Sequence, residues 1–186
     1  MAIRARTSPL LRRVRSALRS GLAAQLAAIN TDLTAESAGY SLPSVASADI
    51  EIAAQGGVLP EVAARPMIRI WPTRAPEESA AIGDLTMAEV RVTASVFLRL
   101  GDLTISPAPS TSQEREGTLM CAALDMAEAV KRVMASPASI QTSTAEGIAI
   151  INRVEVDPRL ENTDDSDYVC AVRADVTAVY RQRRDT

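Results

Sequence analysis

Apolar residues recur along the chain with two different spacings, which separate the predicted helices from the predicted strands. Near the N-terminus the spacing is three or four residues, which places the apolar side chains on one face of a helix. Ser8 and Pro9 suit its first turn, and Asn30 suits its end. The pattern therefore predicts an amphipathic helix over about 9–30. Its apolar positions are Leu11, Val14, Leu18, Leu22, Leu26 and Ile29.

A second helix is predicted in the middle of the chain. Thr111 and Glu114 have the spacing of a capping box, in which each residue's side chain bonds the other's backbone N–H. Ser136 precedes Pro137, and this pair ends the helical pattern. We therefore expect a helix up to about Ala135. Its apolar face consists of Leu119, Ala123, Met126 or Ala127, Val130, and Val133 or Met134.

Alternation of apolar and polar residues predicts the strands. The longest alternating segment is 88–100, and a period of two is typical of a strand with one buried and one wet face. In this segment Val90, Val92, Ala94, Val96, Leu98 and Leu100 are expected in the core, and the residues between them in solvent. Further strands are predicted at 50–52, 67–71, 147–156 and 168–181, and in the last of these Arg173, Asp175, Thr177 and Arg181 lie on the face opposite the apolar residues.

The order of these elements predicts the fold class. It runs helix, short strand, short strand, long strand, helix, strand, strand. Two helices can cover the apolar face of a mostly antiparallel sheet. We therefore predict a single α+β domain over 1–186, with two layers and both helices packed on one face of the sheet. The predicted loops are 31–48, 73–86, 101–112 and 157–167.

Charge is unevenly distributed along the chain. Residues 1–31 contain six arginines and no acid, whereas the rest contains 14 basic and 23 acidic residues, and the whole chain has a net charge of −3. A basic segment on an acidic body favours docking to an acidic partner or to another copy; a solvated helix face is the alternative. The candidate contact residues are Arg12, Arg13, Arg15 and Arg19 of the first helix and Asp164, Asp165 and Asp167 of the acidic loop.

The residue types that carry most catalytic and metal chemistry are scarce. The chain has no histidine, and its two cysteines, Cys121 and Cys170, do not form a Cys-x-x-Cys pair. We expect both to be reduced, buried thiols of a cytoplasmic protein, with a disulfide only if their segments pack face to face. The acidic stretch 157–167 lacks the glycine and the distal glutamate of an EF-hand. We expect no enzymatic activity, no cofactor and no bound metal.

Nucleic acids and membranes are poorer partners for this composition. Arg181, Arg183 and Arg184 add to the basic residues that could contact phosphates, but the chain has only five aromatic residues and is acidic overall. The longest nearly apolar run, 21–29, is far shorter than the roughly 20 residues of a membrane span. We therefore expect protein partners.

The order of elements resembles that of the tail terminator, or tail completion, proteins of long-tailed bacteriophages and related phage-tail-like particles. The resemblance covers most of the chain and includes no catalytic motif. It lies in the amphipathic helix 9–29, the proline-flanked strand within 65–72, the long strand 88–100, the helix 113–135 and the final strands 147–156 and 168–181.

The resemblance implies a structural virion protein that forms a ring, usually a hexamer. Such a ring caps the tail tube and joins it to the head completion or connector protein, and DNA only passes through its lumen. The implied location is the tail or neck of the virion, after synthesis in the host cytoplasm. Two alternatives stay open: another neck or head–tail joining component, and a non-viral small binding module.

Overall fold

The structure, a computed structural model, describes residues 7–53, 66–73, 87–136, 140, 148–161 and 171–183. Within these ranges the chain forms two long helices, a five-stranded sheet and a two-stranded sheet, so the fold is α+β as predicted. In chain order the elements are α1 (Thr7–Ala35), β1 (Tyr40–Ser41), β2 (Ile50–Ile52), β3 (Met67–Thr73), β4 (Met87–Arg99), β5 (Thr104–Ile105), α2 (Ser112–Met134), β6 (Ile148–Glu161) and β7 (Ala171–Arg183).

The five-stranded sheet has the order β2-β3-β4-β7-β6. β2 pairs with β3 in parallel, and the other three pairs are antiparallel. Across the sheet Ile70, Ala94, Val176 and Val156 lie opposite one another in a single row. The last strand of the chain, β7, thus lies between β4 and β6 and receives the longest pairings on both sides.

Both helices pack on the same face of this sheet and against each other. The predicted apolar faces of α1 and α2 are buried there, together with alternate residues of the strands. Tyr180 Oη also donates a hydrogen bond to the carbonyl of Met134 at 3.1 Å, which links β7 to the end of α2. The buried strand positions on this face are Ile68, Ile70, Val92, Ala94, Val96, Leu98, Val172, Ala174, Val176, Ala178 and Tyr180.

α1 is longer than predicted at both ends. It begins at Thr7, so Ser8 lies inside the helix, and it continues past Asn30 to Ala35. The Asn30 side chain accepts from the backbone N–H of Leu42 at 2.7 Å and donates to its carbonyl at 3.0 Å. Asn30 therefore fastens the following segment to the helix instead of ending it. The helix ends where Ser37 adopts a positive φ of 57°.

Two of the predicted loops contain regular structure. The first five residues of 31–48 belong to α1, β1 lies within that segment, and a 3₁₀ turn covers Ser47–Asp49. The segment 101–112 contains β5 and the last part of a 3₁₀ turn, Leu100–Asp102. β1 and β5 pair with each other, which a pattern of local periodicity did not predict because each strand has only two residues. Residues 74–86 lie outside the described part of the chain.

The C-terminal hairpin differs from the prediction at the ends of both strands. β6 runs to Glu161 instead of ending at 156, so the predicted loop 157–167 starts too early. Shifts of register between Ala149 and Ile151 and between Ile151 and Val154 interrupt its alternation. β7 covers Ala171–Arg183, and the first predicted residues of that strand, 168–170, lie outside the described residues.

We predict that Gly21→Ala stabilises the protein. A Cβ at Gly21 would lie 3.5 Å from Val133 Cγ2 of α2, an ordinary van der Waals contact. Alanine in a helix interior is favoured over glycine, so the free energy of unfolding should rise by about 0.5–1 kcal/mol in urea denaturation. Gly39→Ala is the contrasting control, because Gly39 has a φ of +78° and should lose stability. A loss of stability in Gly21→Ala would show that the helices approach more closely than described.

Candidate interaction surface

The four predicted contact arginines lie in the first half of α1. Arg12 and Arg19 are exposed, and Arg13 and Arg15 are half-buried. Arg12 and Arg19 are seven residues apart, two helical turns, so they lie on the same outer side of the helix. The helix positions these side chains because its opposite face packs into the core. The structure therefore places all four arginines near one end of α1, with Arg12 and Arg19 on its outer side and Arg13 and Arg15 on its half-buried flanks.

The outer surface of α1 continues beyond the arginines with small side chains. A helix of 29 residues is about 43 Å long, so this surface is extended. Small side chains let another backbone approach closely, because interaxial distance depends on the side chains at the contact. The surface is thus basic at one end and narrow and uncharged along its middle. Its small exposed residues are Ser16, Ser20, Ala23, Ala24, Ala27 and Ala28.

The arginines differ in their contacts within the chain. Arg19 Nη2 donates to the carbonyl of Ile50 at 3.0 Å and so ties α1 to β2. Arg13 also interacts within the chain. Neither Arg12 nor Arg15 forms an ion pair with a described residue. Arg12 and Arg15 are therefore the predicted contact residues most available to a partner.

The acidic half of the predicted contact set is not described. Asp164, Asp165 and Asp167 lie outside the described residues, so their role stays a prediction. Asp157 and Glu161, which belong to the same acidic stretch, lie in β6. The first five residues of the predicted acidic loop 157–167 therefore belong to a strand.

A buried polar network on the second face of the sheet was not predicted. The sequence pattern assigned the alternate residues of β4 and β7 to solvent, but five of them are buried. Ser95 is 0% exposed, and Arg173 and Asp175 are each 8% exposed. That expectation was wrong because side chains of neighbouring strands contact one another on this face, as Trp71 and Ser95 do. The buried members are Thr93, Ser95, Phe97, Arg173 and Asp175.

The strongest contact of this network joins Arg173 to Asp175. Arg173 Nε and Nη2 donate to the two carboxylate oxygens at 2.8 and 2.7 Å. The guanidinium carbon also lies 5.9 Å from the centroid of the Phe97 ring, within the range of a cation–π contact. A buried charge is tolerated only with such partners, since its desolvation is otherwise uncompensated. Both groups are therefore satisfied, and the pair has a structural role.

Two further hydrogen bonds of the network link neighbouring strands. Trp71 Nε1 donates to Ser95 Oγ at 2.9 Å, between β3 and β4. Thr93 Oγ1 and Thr177 Oγ1 lie 2.8 Å apart, between β4 and β7. Phe97 was the signal in the sequence, because this aromatic residue fell on a face expected to be in solvent. The network thus adds side-chain contacts to the backbone pairing of the three central strands.

The second helix carries a hydrogen bond that the sequence pattern did not predict and a thiol that the pattern placed in the core. Tyr40 Oη donates to Asp125 Oδ2 at 2.5 Å, which holds the β1–β5 pair against α2. Burial, followed by the hydrogen bond to Asp125, raises the pKa of Tyr40.

Cys121 was expected to be buried but is an exposed free thiol. It lies two residues from both Leu119 and Ala123, about 200° around the helix from the core face. Cys170 lies outside the described residues.

Among the described residues, no group of three or more cysteine, aspartate or glutamate side chains is placed to hold a metal ion. None of the described helices combines the length and the apolar character that a membrane span requires.

We expect Asp175→Ala to destabilise the protein by about 3 kcal/mol, because it leaves the buried Arg173 guanidinium without its carboxylate partner. The double variant Arg173→Met/Asp175→Leu removes both charges and should recover most of that loss. Urea denaturation measures both. Glu128→Gln is the control, because its partners Lys131 and Arg132 are well exposed and such pairs contribute 1 kcal/mol at most. A loss in Asp175→Ala no larger than in the control would contradict the buried pair.

Comparison of the chain with protein-family models and with curated proteins found no match.

Proposed function

We propose that this chain is a ring-forming structural protein of a phage tail or neck, and specifically a tail terminator. One observation carries the proposal: two helices cover the same face of a mostly antiparallel sheet, in the element order on which the resemblance rests. The proposed partners are other copies of the chain, the tail tube protein and the head connector protein. The proposed location is the virion.

The outer surface of α1 supports a ring. A closed ring needs a heterologous contact, in which one surface of a subunit meets a different surface of its neighbour. Arg12 and Arg15 offer a positive surface, and the chain outside 1–31 has an excess of nine acidic over basic residues, 23 against 14. A basic helix end against an acidic neighbour therefore supplies a contact of the required kind.

The acidic residues Asp164, Asp165 and Asp167 have a proposed role in the lumen or at a partner. Negative side chains that line a channel repel the phosphates of DNA, so that DNA passes without adhering. This repulsion acts over about 8 Å at physiological ionic strength, so it needs the side chains to line the channel directly.

The proposal predicts the size and the binding partner of the purified protein. Sedimentation velocity of the full chain should show a species near six times 19.8 kDa. With tail tubes of its own particle, the protein should co-sediment and appear by negative-stain electron microscopy as a cap on tube ends. Binding to the portal side alone would favour the neck-component alternative. A monomer that binds neither would overturn the proposal in favour of a small binding module.

The proposal also predicts that Arg12→Glu/Arg15→Glu weakens assembly with little change in fold. Arg12 is exposed and Arg15 is half-buried, and neither belongs to the buried core, so the helix should persist in circular dichroism. Reversing two charges at a contact should weaken subunit association by about tenfold or more.

Arg115→Glu is the matched control for this double variant, because Arg115 is an exposed arginine on the other helix. It should assemble like the unaltered protein. Equal assembly of Arg12→Glu/Arg15→Glu and Arg115→Glu, measured by sedimentation at the same salt concentration, would remove these arginines from the contact.

A further inference from the structure

Each of the two edges of the five-stranded sheet contains a proline, Pro158 in β6 and Pro72 in β3. Unpaired backbone groups on an edge strand attract another chain, and natural sheets protect their edges with proline, charge or a covering side chain. Here the edges are β6 on one side, and β2 with the rest of β3 on the other. β6 has 14 residues, so its outer side is a long potential pairing site. No described strand pairs with the outer side of either edge.

The direction of each backbone group on β6 follows from one hydrogen bond and the register. The Ala53 N–H donates to the Ile70 carbonyl at 2.9 Å, so the backbone N–H and C=O of Ile70 point toward β2. In an antiparallel pair, the backbone groups of two residues opposite each other either bond mutually or both point away from the partner strand. The backbone groups of Ala94, which lies opposite Ile70, therefore point away from β3 and toward β7.

The same alternation continues to the outer side of β6. Val176 lies opposite Ala94 and so bonds to β4. Val156 lies opposite Val176, so its backbone N–H and C=O point away from β7, to the outside of the sheet. Pro158 is two residues further along β6 and has the same direction. The missing N–H of Pro158 is thus a gap in the outer row of donors and costs the β6–β7 pairing nothing.

The opposite edge is interrupted in two places. Pro72 lies two residues beyond Ile70 and points to the same side, past the end of β2 at Ile52. The N–H of Ala53 bonds to β3, and backbone groups along a strand alternate between its two sides. The backbone groups of Ile50 and Ile52 therefore point to the outside of the sheet. The outward carbonyl of Ile50 is the group that accepts the hydrogen bond from Arg19.

We infer that Pro158, Pro72 and Arg19 close both edges of the sheet to strand addition by another copy of this chain. Pro72 and Pro158 remove outward donors, and Arg19 occupies an outward acceptor. The inference is independent of the proposed function: it holds for a monomer and for a ring. It requires that copies of the chain associate through side-chain surfaces and not through a shared sheet. It also gives Arg19 a role within the subunit.

The test is the variant Pro158→Ala, which restores one outward N–H per chain. In a two-fold antiparallel pairing of β6 with β6, two hydrogen bonds are regained. The measured step is the pairing of two particles of the protein, each a monomer or a ring, through β6. Each regained bond strengthens this pairing by about fivefold, so its association constant should rise by about 30-fold. Sedimentation equilibrium measures this step in either case. Pro109→Ala is the matched control, because it restores an N–H outside the strands and should change nothing.

Hydrogen exchange provides a second measurement on the same variant. At a concentration where sedimentation shows no added association, the amide at position 158 of Pro158→Ala should exchange rapidly, because it points outward. The neighbouring amides of Asp157 and Arg159 should be protected, because they point to β7. Rapid exchange together with stronger self-association supports the inference. A protected amide at position 158, or self-association equal to that of Pro109→Ala, overturns it.

Discussion

Packing of α1 and α2 on one face of the sheet is the contact from which the other features of the structure follow. Strand side chains alternate between two faces, so covering one face assigns every second residue of β3, β4 and β7 to the core. The row Ile70, Ala94 and Val176 belongs to that face. A slip of one residue would place Arg173 and Asp175 against the helices, where an apolar core offers no partners. The helix contact therefore sets the register of the whole sheet.

The same register determines the second face and the edges. It places Asp175 opposite Ser95 and Arg173 opposite Phe97, which brings the ion pair and the aromatic ring together. It also points the nitrogen of Pro158 outward. One set of apolar contacts thus also arranges the polar network on the opposite face and the direction of the backbone groups at the edge. If the edges are closed in this way, the outer surface of α1 becomes the described surface best suited to meet another copy, as the proposed ring requires.

Several local features were predictable because they depend on neighbours in sequence. The capping box of Thr111 and Glu114 forms as expected, and the backbone N–H of Glu114 donates to Thr111 Oγ1 at 3.2 Å. The hydrogen bonds of Ser110 and Thr111 also lower the pKa of Glu114. Features that depend on distant residues were missed. Asn30 has the composition of a helix end, but its side chain is used by Leu42. Cys121 lies in an apolar-looking segment, yet the helix turns it away from the core.

The sequence by itself determined the two amphipathic helices, the strands of the five-stranded sheet and their order along the chain, since each follows from a spacing of apolar residues that any folded form must bury. It also placed Arg12 and Arg19 on the outer side of α1. Only the tertiary structure decided that five residues on the second face of the sheet are buried, that Arg19 bonds to Ile50, and that the backbone nitrogen of Pro158 points outward. Periodicity tells whether a residue changes face, but burial and hydrogen bonding depend on which strand lies beside it. That neighbour is set by the order of strands in the sheet, which the spacing of residues along the chain does not contain.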